Sequence, residues 1–376
     1  MTEIYLVRHT EAEGNLYKMM QGHWDGGVTA MGLQEIEALA QRMKGVHFDA
    51  VYSSDLYRAR ATAEALTREN GLEIRTDIRL REIDMGPWEG QFFGNIRRNY
   101  PEKLKDFLTD RRTWKVEGAE TFPEVQRRML DAVGEIAARH DGETIGITSH
   151  GVAICCFMTA VLDAPMEGEG VVPIYRNTSV THLFYEDGKF SVDYLNDAHH
   201  IDGLKVSDWA GNDGLSDLPL DPEQESDFYA ACYEDAWNFA HHGNMKGFDA
   251  DACLSAAVEH SDAYPGAVMK IMNLEEPVGI VELDTERGAA EGYGWISLIY
   301  LKPEYRFKSY GPQLLARAYM AYEQLGRNSL RLMTAESNTA ALNFYRKYGF
   351  KVIAEETGCS GRLLIMERAI GRKRYV

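Results

Sequence analysis

Ile4-Tyr5-Leu6-Val7-Arg8-His9-Thr10 is an apolar run that stops abruptly on a basic pair. Four apolar residues bounded by polar ones predict a buried strand. In open α/β sheets ligands collect beyond the ends of such strands, so Arg8 and His9 are placed to meet an anion. For an isolated pair of this kind, a surface arginine beside a structural histidine is about as common. Whether Arg8 and His9 bind an anion therefore depends on whether other parts of the chain supply further groups for an anion site.

Length and composition describe a globular protein of more than one domain. The chain has 376 residues, which at about 150 residues per domain predicts two domains or slightly more. With 45% hydrophobic and 26% charged residues it fits no disordered or low-complexity class. The formal net charge of −18 argues against duplex nucleic acid or a membrane surface as a partner, because both carry negative charge.

The cysteines and the N-terminus predict a cytoplasmic protein. The five cysteines, an odd number, show no Cys-x-x-Cys pair and no cysteine–histidine cluster with ligand spacing. This favours reduced thiols and no bound metal. The start Met1-Thr2-Glu3 lacks a basic n-region, so we expect no signal peptide, and no apolar run has membrane-spanning length.

A second basic group is expected at a helix start. After a short predicted strand at 50–52, Ser53, Ser54 and Asp55 are good N-cap candidates for a helix that carries Arg58. Arg58 then falls in the first helical turn, where backbone N–H groups and the positive end of the helix already favour an anion.

Two further polar positions are predicted near strand ends. Glycines and a proline mark 82–90 as a loop, so Glu82 is expected to point into a cleft. The strand predicted at 144–148 ends on Ser149-His150-Gly151, which places a second histidine at a strand end. Residues 92–112 predict irregular helices whose aromatic and arginine side chains form either a cap over a pocket or ordinary packing, with equal support.

Periodicity and turn residues predict the remaining elements. Helices are predicted at 29–44, 122–140, 152–161, 228–239, 312–325 and 340–348, strands at 278–283, 295–301, 329–334 and 350–354, and a hairpin around Asp187-Gly188. The stretch 208–227 is acidic, has two prolines and lacks basic residues, which predicts a solvated linker at 205–222. The domains are therefore expected at 1–204 and 223–376.

The polar groups of the first half suit phosphoryl transfer. Forked guanidinium groups match the charged equatorial oxygens of a phosphoryl group in transfer, a role for Arg8 and Arg58. An imidazole with a free nitrogen can attack phosphorus and form a covalent phosphohistidine. A carboxylic acid must protonate the leaving alcohol and later activate water, which suits Glu82.

These stretches together resemble the histidine phosphatase superfamily, which includes the phosphoglycerate mutases. The resemblance covers about residues 1–204 and implies a three-layer α/β sandwich. It implies that His9 is the phosphorylated nucleophile, Arg58 the second clamp and Glu82 the proton donor. Residues implied as supporting contacts are His150 for the transferring group, Asn15, Gln21 and Gly22 for secondary phosphate binding, and the closing segment Asn196-Asp197-x-x-His200. The stretch Gly118-Ala119-Glu120-Thr121 stands where the family usually has Gly-Gly-Glu-Ser.

Hydrolysis and mutase activity both remain open for this half. A mutase must retain its phosphoryl donor and exclude water, which in the family goes with added substrate-holding segments. This half is compact, so we expect hydrolysis of a small phosphomonoester.

The second half carries a different pattern. Residues 298–311 predict a strand, a turn and a helix start, where successive N–H groups can hold a pyrophosphate; alone, a plain strand-to-helix turn explains them equally well. With residues 338–350 the pattern resembles the GNAT acyltransferase family, over about 223–370, and implies an α+β fold that binds acetyl-CoA. The residues implied in cofactor binding are Leu301, Arg306, Phe307, Lys308, Ser309, Tyr310, Gly311, Asn338 and Tyr345.

Tyr345 stands where the family has the tyrosine that protonates the departing thiolate, which implies a catalytic role for it. Two other features leave the activity of the second half open. Ser309 replaces a glycine of the pyrophosphate loop, and no general base for an acceptor amine stands out. The sequence therefore predicts a bifunctional phosphatase and N-acetyltransferase, with a non-catalytic acyl-CoA sensor as the alternative for the second half.

Overall fold

The computed structural model describes residues 1–204 and 214–371, which fall into an N-terminal and a C-terminal compact unit. Part of the predicted linker, 205–213, lies outside the described residues. The rest of it was wrongly predicted, because residues 216–219 form a strand of the C-terminal unit. Acidic composition alone cannot separate a linker from an edge strand whose partner lies about fifty residues later in the chain.

The described residues of the N-terminal unit form one six-stranded mixed sheet. The strands are β1 (Thr2–Arg8), β2 (Ala50–Ser53), β3 (Ile74–Thr76), β4 (Thr144–Ser149), β5 (Val180–Glu186) and β6 (Lys189–Asp197). Their order is β3-β2-β4-β1-β5-β6; β3, β2, β4 and β1 are parallel, and β5 and β6 form an antiparallel hairpin. Parallel pairing brings the carboxyl ends of β1, β2 and β4 to the same edge of the sheet.

Helices cover both faces of this sheet. They are α1 (Glu13–Tyr17), α2 (Ala30–Arg42), α3 (Tyr57–Thr67), α4 (Phe93–Asn99), α5 (Pro101–Thr109), α6 (Phe122–Ala138) and α7 (Gly151–Val161). Leu6 packs with α6 and α7 on one face, and its neighbour Val7 packs with α2 and α3 on the other. Alternation along a strand sends successive side chains to opposite faces. The predicted three-layer α/β sandwich is confirmed.

Except for the exposed Tyr100, the aromatic residues from Trp88 to Phe122 are buried in the core. Trp114 is 2% exposed, and its ring lies 5.2 Å from Phe107, 5.7 Å from Trp88 and 5.7 Å from Phe122, in edge-to-face or tilted geometry. Such pairs stabilise a core beyond the area that they bury. The packing interpretation of residues 92–112 is therefore the one that the structure supports.

The described residues of the C-terminal unit form a seven-stranded mixed sheet. Its strands are β7 (Ser216–Pro219), β8 (Val268–Asn273), β9 (Glu276–Asp284), β10 (Tyr293–Leu301), β11 (Ser329–Ala335), β12 (Lys351–Gly358) and β13 (Gly361–Ala369). The order is β12-β13-β11-β10-β9-β8-β7, in which the β10–β11 pair is parallel and the other pairs are antiparallel.

Four described helices pack on the two faces of this second sheet. They are α8 (Ser226–Ala240), α9 (Ala250–Ala263), α10 (Gly311–Gln324) and α11 (Thr339–Lys347). Leu315 of α10 and Leu342 of α11 share one core cluster, whereas Tyr229 of α8 and Ala257 of α9 share another. This is the predicted α+β class. Among the described residues, no helix is both long and apolar enough to cross a membrane.

Candidate functional site

The two predicted histidines meet at the carboxyl edge of the first sheet. The pairing of β1 with β4 sets Arg8 opposite Ser149, and the N–H of His9 donates to the carbonyl oxygen of Ser149 at 2.9 Å. The rings of His9 and His150 therefore lie 5.1 Å apart between centroids, at 51° to each other. Both side chains are buried, with 2% and 0% exposure.

Hydrogen bonds fix the tautomer and the position of His9. Its Nδ1 lies 2.6 Å from the carbonyl oxygen of Thr10, which can only accept, so Nδ1 carries the proton. The neutral ring then presents the lone pair of Nε2. The carbonyl oxygen of His9 accepts from Nδ2 of Asn177 at 2.8 Å and from the N–H of Thr178 at 3.3 Å. Asn177 lacks any local sequence signal and is a residue that the sequence analysis missed.

Both histidines are held neutral. Burial lowers the pKa of His9 well below its usual value, and the positive charges of Arg58 and Arg8 lower it further. Burial and the charge of Arg58 lower the pKa of His150 in the same way. Neither ring nitrogen of His150 has a hydrogen-bond partner among the described residues. An unpartnered buried imidazole is costly unless a ligand satisfies it, so His150 is suited to contact a bound phosphoryl group.

Arg58 is fully buried and is oriented by the loop after α1. Its Nη2 donates to the carbonyl oxygen of Gly22 at 2.7 Å, and its Nη1 donates to that of Trp24 at 2.9 Å. Asp25 lies 3.4 Å from the same Nη1 and compensates the buried charge. The Nε atoms of Arg58 and Arg8 have no partner in the described part of the chain. These two donors are therefore available to an anion.

The start of α3 differs from the prediction. Ser53 belongs to β2, and the N-cap position is Leu56, which has no side-chain oxygen. Instead, the carboxylate of Asp25 accepts from the N–H of Tyr57 at 2.8 Å. Asp55 forms a two-point ion pair with Arg81 and is not the cap. The capping group thus comes from a distant loop, although Arg58 lies in the first turn as predicted.

Arg8 closes the site from the end of β1. It is 8% exposed and donates from Nη1 to the carbonyl oxygen of Tyr175. Burial lowers the pKa of Arg8 to about 10, so it remains charged at neutral pH. A β-carbon at Gly151 would lie 2.9 Å from Ile174 and 3.3 Å from Nε of Arg8. Only glycine leaves room for the guanidinium there.

The Glu82 carboxylate is held at the start of α7. Its Oε1 accepts from the N–H of Ala153 at 2.9 Å and of Ile83 at 3.1 Å, and its Oε2 accepts from Val152 at 3.1 Å. Val152 and Ala153 directly follow His150 and Gly151. The candidate acid and the candidate phosphate-binding histidine therefore share one helix start.

A partly exposed arginine of α6, Arg128, holds the backbone of the Glu82 loop. Arg128 donates to the carbonyl oxygens of Arg79, Arg81 and Glu82 at 2.8, 2.7 and 2.9 Å. Its charge is paired through two bonds of 2.8 Å with Glu120. The departure from the family pattern at 118–121 leaves this glutamate in place. Sequence reasoning missed Arg128, since a helical arginine most often faces solvent.

The residues predicted as secondary phosphate contacts have structural bonds of their own. Asn15 is buried, and its side-chain oxygen accepts from the N–H of Ala12 at 3.0 Å at the start of α1. Gly22 has a φ of +50° and supplies the carbonyl oxygen for Arg58. Oε1 of Gln21 is buried without a described partner. Phosphate contacts by these residues remain predictions.

The closing segment, residues 196–200, forms bonds that support the backbone of the site. Nε2 of His200 lies 3.1 Å from Oγ1 of Thr178, and Asp197 forms an ion pair of 2.8 Å with Arg42. Because the N–H of Thr178 donates to the carbonyl oxygen of His9, this segment stabilises the backbone that carries the candidate nucleophile.

In the C-terminal unit, β10 separates from β11. The two strands pair only from Tyr293 to Ile296 and from Ser329 to Leu332, and beyond that β10 pairs with β9 alone. A bulge between Ile296 and Leu298 accompanies the separation. The parting leaves an unpaired strand edge that an extended acyl-pantetheine arm can line.

The predicted pyrophosphate loop follows β10 directly. Arg306 donates from Nε to the carbonyl oxygen of Leu301 at 2.8 Å and forms an ion pair with Asp235. Phe307 and Ser309 have φ angles of +59° and +61°, and Phe307 is 89% exposed. A non-glycine residue in this region is strained. The backbone of Leu301 is predicted to contact the cofactor, and its carbonyl oxygen is already bonded to Arg306.

Tyr345 lies on α11, and Asn338 directly precedes this helix as its N-cap. Tyr345 is 9% exposed, and burial raises the pKa of its hydroxyl above the ordinary value. It packs against Phe344 and Phe350, and no hydrogen bond of its hydroxyl occurs among the described residues. The side chain of Asn338 caps α11 by accepting from the N–H of Ala341 at 3.1 Å. A protonated phenol without a partner is a fitting proton donor, whereas the oxygen of Asn338 is in use.

Comparisons with known proteins agree with this two-part description. A model of the histidine phosphatase superfamily (branch 1) matches residues 4–198, and a model of the acetyltransferase (GNAT) family matches 224–350. GpmB of Proteus mirabilis, named a probable phosphoglycerate mutase, is 30% identical over 224 residues, covering 60% of this chain and all of that protein. GpmB of Salmonella typhi, with the same name, is 28% identical over 54% of this chain and 96% of its own. Among solved structures, YhfR of Bacillus stearothermophilus is 36% identical with a TM-score of 0.52, covering 54% of this chain and all of that one.

Proposed function

Because the chain belongs to branch 1 of the histidine phosphatase superfamily and carries a GNAT-family domain after it, we propose that it hydrolyses a small phosphomonoester through a phosphohistidine on His9. The observation that carries this proposal is the tautomer of His9. The bond from Nδ1 to Thr10 leaves the Nε2 lone pair free in a site with two buried arginines. A neutral imidazole is the form that can attack phosphorus.

In the first step the substrate phosphoryl group binds Arg8, Arg58 and His150. Nε2 of His9 forms a bond to phosphorus while the bond from phosphorus to the ester oxygen breaks. The departing oxygen takes a proton from the Glu82 carboxylic acid. Guanidinium groups stabilise the charge on the equatorial oxygens throughout.

In the second step the Glu82 carboxylate takes a proton from water. The water oxygen then bonds to phosphorus, the phosphorus–nitrogen bond breaks, and inorganic phosphate leaves with His9 restored. Glu82 is partly exposed, so water can reach it. No metal ion is needed to balance charge in either step.

Trapping the covalent intermediate tests this proposal. Brief reaction with a phosphorus-labelled monoester, followed by denaturation, should leave label that is lost in acid and kept in base. His9→Ala should give neither label nor turnover. A His9→Ala protein with near wild-type turnover would refute the assignment.

The curated relatives favour a second candidate activity for this unit, phosphoglycerate mutase, because that activity is in their names. Hydrolysis is preferred for this chain because its N-terminal unit is compact and Glu82 is within reach of water. Product analysis with 3-phosphoglycerate and a catalytic amount of 2,3-bisphosphoglycerate separates the two. Free phosphate supports hydrolysis, and isomerised phosphoglycerate without phosphate release supports the mutase.

For the C-terminal unit we propose acetyl-CoA-dependent acetylation of a primary amine. The amine nitrogen bonds to the thioester carbonyl carbon, the carbon–sulfur bond breaks, and the thiolate takes a proton from Tyr345. The proton that the nitrogen loses passes through water to the Tyr345 phenolate and restores the phenol. The separation of β10 from β11, the loop at 306–311 and the unpartnered phenol support this proposal. Thiol release with acetyl-CoA and a panel of amines tests it.

A non-catalytic acyl-CoA sensor is the competing function of this unit. The strained Ser309, the engaged Leu301 carbonyl and the engaged Asn338 oxygen favour it. The two functions differ in the response to Tyr345→Phe. An acetyltransferase should lose turnover and keep acetyl-CoA binding, whereas a sensor should show no turnover in either protein.

A further inference from the structure

Three side chains beside the Glu82 loop present ligand atoms to one another. One ligand atom each of His23, Asp84 and Glu89 lies within 4.8 Å of the others, and all three residues are partly exposed. Nδ1 of His23 is 3.8 Å from Oδ2 of Asp84. None of these residues takes part in the phosphoryl chemistry proposed above.

The hydrogen bonds of the cluster leave one ligand atom of each residue without a hydrogen-bond donor among the described residues. Nε2 of His23 lies 2.9 Å from the carbonyl oxygen of Glu82, so Nε2 carries the proton and Nδ1 of the neutral ring has a lone pair. Oδ1 of Asp84 accepts from the N–H of Gly86 at 2.8 Å, which leaves Oδ2. Within 1–204 and 214–371, no N–H or O–H donor bonds that oxygen.

Glu89 is arranged in the same manner. Its Oε1 accepts from the N–H groups of His23 and Met85 at 2.7 and 3.2 Å, which leaves Oε2. Each ligand is therefore oriented by a hydrogen bond on its other atom. This is the outer-shell support that metal-binding histidines and carboxylates usually have.

We propose that His23, Asp84 and Glu89 bind a divalent transition metal ion, with zinc as the best fit. One imidazole and two carboxylates suit zinc, which accepts nitrogen and oxygen ligands and leaves a fourth position for water. In a tetrahedral site ligand atoms stand about 3.3 Å apart. Nδ1 of His23 and Oδ2 of Asp84 are 3.8 Å apart, and the three ligand atoms lie within 4.8 Å of one another, so these partly exposed side chains would move closer together on binding the ion.

The ion would join the loop that orients Arg58 to the loop that carries Glu82. His23 follows Gly22, whose carbonyl oxygen accepts from Arg58, and its ring donates to the Glu82 carbonyl. Binding would therefore stabilise the N-terminal unit around its site. The phosphoryl transfer steps do not pass through the ion.

The test is metal binding by the full chain after chelator treatment and dialysis. Isothermal titration with Zn²⁺ and absorption spectra with Co²⁺ should show a site in the wild type whose affinity falls at least about tenfold in His23→Gln and in Asp84→Asn, since each loses one ligand. Thermal unfolding should shift upward with Zn²⁺ in the wild type and much less in these variants. Circular dichroism without metal checks that the variants are folded. If His23→Gln does not fold, the result from Asp84→Asn decides the test.

Two controls separate this site from other ligands. His47 and Asp49 are a surface pair at 3.7 Å, and the described part of the chain supplies no third ligand beside them, so His47→Gln should bind as the wild type does. His9→Ala should also bind as the wild type does, because the catalytic histidines are not ligands. Unchanged affinity in both His23→Gln and Asp84→Asn, or no binding in the wild type, would overturn the proposal and leave an ion pair only.

Discussion

Nη2 of Arg128 donates to the carbonyl oxygen of Glu82 at 2.9 Å, so a residue of α6 holds the backbone of the candidate proton donor. The carboxylate of Glu82 is held separately by the start of α7. The candidate proton donor is thus held both at its backbone and at its carboxylate.

Loss of Arg128 should impair protonation of the leaving group. Arg128→Met is expected to slow hydrolysis of an alkyl phosphate about tenfold, a part of the roughly 10²–10⁴ that general acid catalysis contributes. An activated aryl phosphate needs little protonation and should be affected much less. Steady-state rates on both substrates measure this. Arg127→Met, at an exposed neighbouring position, is the matched control; equal losses on both substrates would show a general structural effect.

Glu82→Gln should also slow the alkyl phosphate more than the aryl phosphate, and the decrease in rate should be larger than in Arg128→Met. The amide keeps the shape but cannot donate the proton, so turnover of the alkyl phosphate should fall by about 10² or more. The aryl phosphate should keep most of its first-step rate, measured as a burst of phenolate. If both substrates lose the same factor, Glu82 is not the acid.

Glu35 should make stability depend on pH. Its side chain is 1% exposed, and its Oε2 lies 2.8 Å from Oγ1 of Thr10 and accepts from the N–H of Glu11. Burial raises its pKa to about 7 from 4.5. The folded state therefore favours the protonated acid, and this stabilisation is full below about pH 4.5 and is lost as pH rises through 7.

Urea unfolding of the wild type and Glu35→Gln at pH 5 and pH 8.5 tests this expectation. The free energy of unfolding of the wild type, relative to the variant, should rise by about 2–3 kcal/mol on going to pH 5. Glu37→Gln on the same helix is the control, because that carboxylate is exposed and its hydrogen bonds with Gln41 and Arg68 lower its pKa. A constant difference between the wild type and Glu35→Gln would disprove the assignment.

Ser309→Gly should relieve strain in the pyrophosphate loop. At a φ of +61° glycine avoids a cost of about 1 kcal/mol, so thermal unfolding of the C-terminal unit should shift upward. Acetyl-CoA binding, measured by calorimetry, should tighten, because glycine allows closer approach of phosphate. Phe307→Gly relieves a similar φ of +59° outside the glycine position of the motif and should stabilise without tightening. Weaker binding by Ser309→Gly would indicate that the hydroxyl contacts the cofactor.

Chelation should leave phosphatase turnover unchanged. The positive charge at the site comes from Arg8 and Arg58, which stay charged at neutral pH. Rates before and after EDTA treatment, and after addition of magnesium, measure this. Activity lost to EDTA and restored by magnesium would contradict the mechanism.

The sequence predicts the elements whose signals are local. The strand ending at Arg8, the helix predicted from Thr29 and the turn at Asp187-Gly188 all follow from patterns within a few residues, and the structure confirms them. The histidines and Arg58 were found for the same reason, since each marks an element end.

What the sequence leaves hidden depends on distant partners. β7 is an edge strand formed by pairing with β8, and neither strand was predicted. Asp25 caps α3 through a hydrogen bond to a residue 32 positions later, and Arg128 bonds the Glu82 carbonyl 46 positions earlier. Neither contact can be predicted from neighbouring residues, because each forms only in the folded chain. Helix α9 was also missed, because its single fully buried position, Ala257, gives little amphipathic pattern.

The start of α7 concentrates the chemistry in four consecutive positions. His150 faces the phosphoryl site, Gly151 makes room for Arg8, and the N–H groups of Val152 and Ala153 hold Glu82. A shift of this helix would therefore move the acid and the phosphate-binding histidine as one body. Under the proposed mechanism, a change at these four positions would therefore alter formation and breakdown of the phosphohistidine together, since Glu82 serves both steps.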